Sequence, residues 1–223
     1  MLRDIDLSEV SDGKLYSNND MVKTDCNGCN GCSDCCHGMG TSITLDPYDV
    51  FNLCKELNST FEELLTGPLE LSVADGIILP NLKMKEETKS CSFLNDEGRC
   101  NIHTFRPGIC RLFPLGRYYE EHSFRYFLQT RECPYPNKSK TKIKKWLGIE
   151  RLKEYERFIN DWHYYLKPLQ EFAMTSDDSE KIKQISMFLL QLFYLTPYQL
   201  TEDFYSQFYV RLEKAMAYTE AIL

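Results

Sequence analysis

The sequence predicts an α+β protein, with a small cysteine-rich domain of short β-hairpins and helices at residues 1–136 and an α-helical domain at residues 137–223. Three observations carry that prediction. All ten cysteines lie at or before position 133. Two stretches, Leu69 to Leu79 and Cys91 to Ile102, place β-favouring residues on either side of turn-forming ones, as hairpins do. After Pro136 cysteine disappears and apolar residues recur every three or four positions, the period of packed helices.

Residues 1–25 are polar and weakly patterned and read as a lead-in with little independent structure. The run Cys26 to Cys36, C-N-G-C-N-G-C-S-D-C-C, then places five thiols in eleven residues. A C-x-x-C step lets two sulfurs converge on one tetrahedral centre, because the intervening pair forms a tight turn that Gly28 and Gly31 permit. Three such steps in series occur in iron-sulfur ligation as well as in zinc sites. The adjacent Cys35 and Cys36 diverge from one another and would serve different corners of a cluster or different ions.

Thr41 to Leu45 reads as a short strand, and Asp46-Pro47 supplies an N-cap and a first helical position for a helix to Leu57. Val50, Leu53, Cys54 and Leu57 mark its buried face, so Cys54 reads as a small core residue. Ser59 and Glu62 suggest a capping box for a second helix ending at Gly67. Hairpins follow at 69–79, turning at Ala74-Asp75-Gly76, and at 91–102, turning at Asn95 to Gly98. In the second, Leu94 is expected to oppose Arg99 and Phe93 to oppose Cys100, which puts Cys91 and Cys100 diagonally on one face. Arg106 to Pro114 suits one or two helical turns carrying Cys110, and Tyr118 to Thr130 reads as a strand leading to Cys133. Beyond the boundary, Leu152 to Leu169 forms a helical seam that Pro168 should kink or end. Ile182 to Leu192 reads as a central helix, and Thr201 with Glu202 and Asp203 caps a last one through Ala215.

With 43% hydrophobic and 26% charged residues, the chain has the make-up of an ordinary globular protein. A net charge of -7 argues against nucleic-acid partners, which need a basic field. The lysines between Lys138 and Lys145 read as a solvated linker. No apolar run approaches a membrane span, and Met1 to Val10 lacks the basic and apolar regions of a secretory signal. A reducing cytoplasm that keeps thiolates for metal is the expected setting.

Taken together, Cys29-x-x-Cys32-x-x-Cys35-Cys36, the I-T-L-D-P-Y-D segment, Cys91-x-Phe-Leu, Gly98-Arg99-Cys100-x-Ile102 and Arg106-Pro107-x-x-Cys110-Arg111-x-Phe113-Pro114 resemble the YkgJ-type cysteine-cluster family. The resemblance covers residues 26 to 115. It implies a zinc- or iron-chelating domain, similar in its motifs to flagellin lysine-N-methylases. His103 stands where that family commonly has tyrosine, and no glycine-rich strand-turn-helix element for S-adenosylmethionine is found.

Eight cysteines, Cys29, Cys32, Cys35, Cys36, Cys91, Cys100, Cys110 and Cys133, would fill two four-thiolate sites. All-thiolate ligation selects zinc or an iron-sulfur cluster over magnesium or calcium, and the serial C-x-x-C steps lean towards iron-sulfur. Arg106 and Arg111 flank Cys110 and are candidates to offset thiolate charge or donate to sulfur. The roles of Cys26, His37 and His103 stay open, and no catalytic triad is recognisable. Three functions follow: a cytoplasmic metal-binding protein with a structural or redox site, an enzyme of the lysine-N-methylase kind acting on a protein substrate, or a metal-delivery protein.

Overall fold

The computed structural model describes residues 6–26 and 32–222, and it is a mixed α+β fold. Its strands form three antiparallel pairs. β1 (Met21–Asp25) pairs with β6 (Ser139–Lys142), β2 (Leu69–Ala74) with β3 (Ile77–Leu82), and β4 (Leu115–Glu120) with β5 (Ser123–Leu128). Around them run α1 (Leu7–Val10), α2 (Pro47–Leu57), α3 (Phe61–Leu65), α4 (Gly108–Leu112), α5 (Ile143–Leu147), α6 (Leu152–Thr175), α7 (Ser179–Leu190) and α8 (Phe204–Ile222). None of the described helices is long and apolar enough to cross a membrane.

Several elements form where the local chemistry directs them. Asp46 caps α2, accepting the Asp49 N–H at 2.8 Å while Asp49 reciprocates, and Pro47 occupies a first-turn position where no N–H is needed. For α3 the capping box lies one residue later than Ser59 and Glu62 suggest: Thr60 accepts from the Glu63 N–H at 3.2 Å and Glu63 from the Thr60 N–H at 2.8 Å. Asp203, rather than Thr201, caps α8 by accepting the Ser206 N–H at 2.8 Å.

Other expectations are corrected. Thr41 to Leu45 makes a single bridge to β3, Thr44 to Asn81, with the Leu45 N–H donating to the Pro80 carbonyl at 2.8 Å and the Leu82 N–H to the Ile43 carbonyl at 3.0 Å, and the pairing goes no further before α2 begins. Tyr118 to Thr130 is not one strand: it holds the end of β4, a turn at His122 in the left-handed region, φ 52°, and all of β5. Pro168 lies inside α6, which continues to Thr175; the buried Tyr165, Leu166, Leu169 and Gln170 on either side hold the helix against the core. The lead-in contributes β1, and the lysine-rich stretch contributes its partner β6 and then α5, whose Ile143 and Leu147 are fully buried.

The main core is built across position 136. It joins Ile43, Leu45, Leu53, Phe61, Leu69 and Ile77 to Tyr155, Phe158, Leu189, Phe193 and Phe208. Aromatic edges tie it together: the Phe158 and Phe208 rings meet edge-to-face with centroids 4.6 Å apart, and Trp162 meets Phe193 at 4.8 Å. A smaller cluster of Val22, Leu112, Leu115, Tyr126, Ile143 and Leu147 packs beneath the β1–β6 and β4–β5 pairs. The cysteine-bearing segments lie against the margins of both clusters.

Candidate metal centre

The backbone brings the second half of the first cysteine run to the residues near Cys91. The Cys91 N–H donates to the Cys36 carbonyl at 2.7 Å, and the Gly38 N–H donates to the Lys89 carbonyl at 2.8 Å. His37 bridges Ser90 between those two bonds. Cys36 and Cys91 are therefore neighbours through a short ladder, although 54 positions separate them in sequence (91 − 36 = 55 steps).

Cys100 arrives through the turn after Leu94, in a register one residue away from the expected one. Leu94 bridges Cys100, not Arg99. The cause is Gly98, which sits at φ 70° and inserts an extra residue before the ladder resumes with the Asn95 N–H donating to the Arg99 carbonyl at 2.9 Å. Asn95 Oδ1 holds the turn by accepting the N–H groups of Glu97 and Arg99 at 3.1 and 2.7 Å. The slip does not separate the thiols, since Cys91 and Cys100 still act electrostatically on one another.

Cys110 is delivered by α4, and α4 is fixed from α2. Asp49 Oδ1 accepts the Gly108 N–H at 2.7 Å, satisfying a donor at the helix start. A side chain at Gly108 would collide with the Tyr155 hydroxyl, so glycine is required for this approach of α4 to α6. Arg111, expected near the sulfurs, is instead committed to carbonyls: it donates to Arg106 O at 3.0 Å, to Leu147 O at 3.5 Å and to Thr104 O.

Five thiols thus share one electrostatic neighbourhood: Cys35, Cys36, Cys91, Cys100 and Cys110. Cys36 donates its proton to Cys35, and that bond, with the Cys35 backbone N–H and the Arg106 charge, brings Cys35 down to about 7 despite burial. Cys36 is pushed up by the same bond, then by burial and the nearby thiols. Burial pushes up Cys91, Cys100 and Cys110, the last also facing the Asp49 carboxylate. Apart from Cys35, these thiols favour the protonated form, because several thiolates at close quarters repel and buried charge is costly.

Arg106 supplies positive charge near these thiols. It lowers both Cys35 and Cys100, its Nη1 engages the His103 ring, and its buried Nε has no hydrogen-bond partner among the described residues. An unsatisfied donor beside converging sulfurs suits a bound anionic thiolate centre. His103 itself is held by Arg106, with its pKa lowered by burial and by neighbouring arginines, and His37 is exposed with Ser33 at 3.4 Å.

The remaining thiols fall elsewhere. Cys26, Cys32 and Cys133 line a cavity with Asp34, Phe113 and Trp146, and Cys35 lines it too, so the cavity adjoins the five-thiol group. Cys29 lies outside the described residues. Cys54 sits half-buried against the core, its thiol pushed up to about 11 by burial and then by Glu62 and Glu63. No disulfide joins the described cysteines. Among the described residues, no three His, Cys, Asp or Glu side chains already stand where they could grip one ion, so side-chain rotation must accompany binding.

Comparison with known proteins agrees with the donor chemistry. Residues 28–134 match the model of the family described as "CxxCxxCC: Putative zinc- or iron-chelating domain". No curated protein matches the chain, and no solved structure does. The matched stretch includes the five-thiol group, Arg106, Cys32 and Cys133, and it stops short of Cys26.

Proposed function

We propose, from the match of residues 28–134 to the CxxCxxCC metal-chelating family, that this protein holds an iron-sulfur cluster on thiolates of the group Cys35, Cys36, Cys91, Cys100 and Cys110, in a structural or redox role in the cytoplasm. The observation that supports the reading is the gathering of five thiols in one electrostatic neighbourhood, enough for the four thiolates that a cluster takes. A cluster would supply either a rigid cross-link or one-electron transfer.

The chain's own residues set the conditions for either role. Arg106 offsets thiolate charge and offers its Nε–H to sulfur, an interaction that raises a reduction potential by favouring the more negative state. The bond from the Cys91 N–H to the Cys36 carbonyl ties two of the cysteine segments together, and the Asp49 bond to Gly108 fixes the start of the helix that carries Cys110. Burial of Cys91 limits water at that thiol.

The test is analysis of anaerobically purified protein for iron, acid-labile sulfide and zinc, together with its visible spectrum. Iron and sulfide in equal amounts with broad visible absorption are expected, lost in Cys100→Ser and Cys110→Ser. A colourless protein with stoichiometric zinc at the same thiols overturns the cluster and leaves a zinc site; protein without metal overturns the reading altogether.

A further inference from the structure

We propose that the free edge of β2 is a self-association site, at which two copies of this chain join their Leu69–Ala74 strands antiparallel about a two-fold axis through Ser72. The proposal is independent of the metal reading and uses none of its residues.

The β2–β3 hairpin is apolar on both faces. On one, Ile77 and Leu79 are buried in the core; on the other, Leu71 and Val73 stand 44% and 68% exposed beside Ile78. The solvated face of an antiparallel pair normally carries polar side chains, so an apolar one marks a contact surface. The β2 edge is open as well. β3 turns away from β2 at alternate residues: the Ile78 N–H donates to Ser186 Oγ at 3.2 Å, the Pro80 carbonyl accepts the Leu45 N–H at 2.8 Å, and the Leu82 N–H donates to the Ile43 carbonyl at 3.0 Å. Val73, Leu71 and Leu69, which lie opposite these three, therefore belong to the non-hydrogen-bonded pairs of the ladder, and their own N–H and C=O groups point outward from β3. No other described segment takes those of Leu71 and Val73.

The strand itself identifies the occupant. With the axis at Ser72, Leu71 of each copy lies opposite Val73 of the other, and each such pair exchanges both backbone bonds. The apolar side chains of both copies then meet on one face of the joined sheet. The only charged residue of the strand, Glu70, is held by Asn81 Nδ2 at 3.0 Å and falls opposite Ala74, so no like charges meet. A register centred on Leu71 would instead draw in Leu69, which the core already buries. Association stops at two copies, because the far edge of β3 is bonded to the 43–45 segment and the two-fold contact uses up β2. A contact this small makes a weak, concentration-dependent dimer.

Sedimentation velocity of the full chain over a concentration series tests the proposal. The mass should rise with concentration from 26.2 kDa towards twice that value. Leu71→Lys and Val73→Glu should each weaken self-association at least tenfold, since each sets charges against apolar side chains in the contact. Mixed together, the two variants should associate again, because this register places the introduced lysine of one opposite the introduced glutamate of the other. Both positions are exposed, so circular dichroism and metal content should match those of the parent chain. A chain that stays monomeric at every concentration overturns the proposal and leaves the edge to a strand of another protein. A dimer that neither variant weakens overturns it by placing the contact elsewhere, and weakened variants that do not recover on mixing overturn the register about Ser72.

Discussion

The two parts of this molecule are held in opposite ways. Along α6, α7 and α8, stability comes from burying aromatic rings: Phe158, Phe193 and Phe208 are fully enclosed and touch one another through favourable edges. Around Cys91, Cys100 and Cys110 the chain holds thiols that resist ionisation, next to a more acidic Cys35 and a guanidinium whose Nε–H has no partner among the described residues. One region is held by apolar contacts, and the other gathers groups whose charges a bound cation would satisfy. The difference teaches where metal should matter, and each of the following expectations either sharpens that division or breaks it.

Metal removal should have the largest effect and the most local one. Structural metals in small thiolate sites contribute on the order of 10 kcal/mol. Chelation should therefore raise amide hydrogen exchange strongly across 89–111, which lacks an apolar core of its own, while α6 to α8 keep their protection. Equal loss of protection in the helices would mean that the two regions share one cooperative unit.

Phe208→Ala comes next. It empties a fully buried ring site and should cost about 3–5 kcal/mol, read as a lower denaturant midpoint with and without metal. A cost that vanished in the metal-loaded protein would contradict the independence of the helical core.

Gly108→Ala probes the joint between the regions. The added methyl meets the Tyr155 hydroxyl and threatens the Asp49 bond that seats α4, so a cost of about 1–3 kcal/mol is expected. Because α4 carries Cys110, metal content should fall with stability. Stability lost with full metal retention would detach α4's seating from the site.

His163 gives the smallest effect. Its ring stacks on Tyr119 with centroids 3.5 Å apart, and burial, aided by Lys167 and Arg117, lowers its pKa from 6.5 to about 4. The unfolded chain takes up this proton first as pH falls, so stability declines between pH 6.5 and about 4. Allowing for the partial exposure of the ring, the loss is on the order of 1 kcal/mol, and His163→Gln should remove that slope from the pH dependence of the unfolding midpoint. An unchanged slope in the variant would assign it to other groups.

Local chemistry made much of the fold legible. Asp46-Pro47 announces α2 because a carboxylate and a missing N–H solve the same end problem, and Asp75-Gly76 announces the β2–β3 turn. The Leu152 seam announces α6 through its period. The strand pair β1–β6 was not legible, since its two members are polar and 114 positions apart at Asp25 and Ser139 (139 − 25 = 114), and only pairing makes either a strand. His122 likewise hides a turn inside what reads as continuous strand, because a non-glycine residue at positive φ leaves no compositional sign.

For the site, the sequence alone determined the donor type and most of its members, because thiols at C-x-x-C spacing have few other uses. Only the tertiary structure decided how they divide. It gives Cys35, Cys36, Cys91, Cys100 and Cys110 a shared electrostatic neighbourhood, puts Cys35 on one cavity with Cys26, Cys32 and Cys133, and turns Arg111 towards carbonyls. Spacing constrains neighbours within a few residues. Which distant segments meet depends on backbone bonds such as Cys91 to Cys36 and on the core that seats α4, and those are properties of the folded chain as a whole.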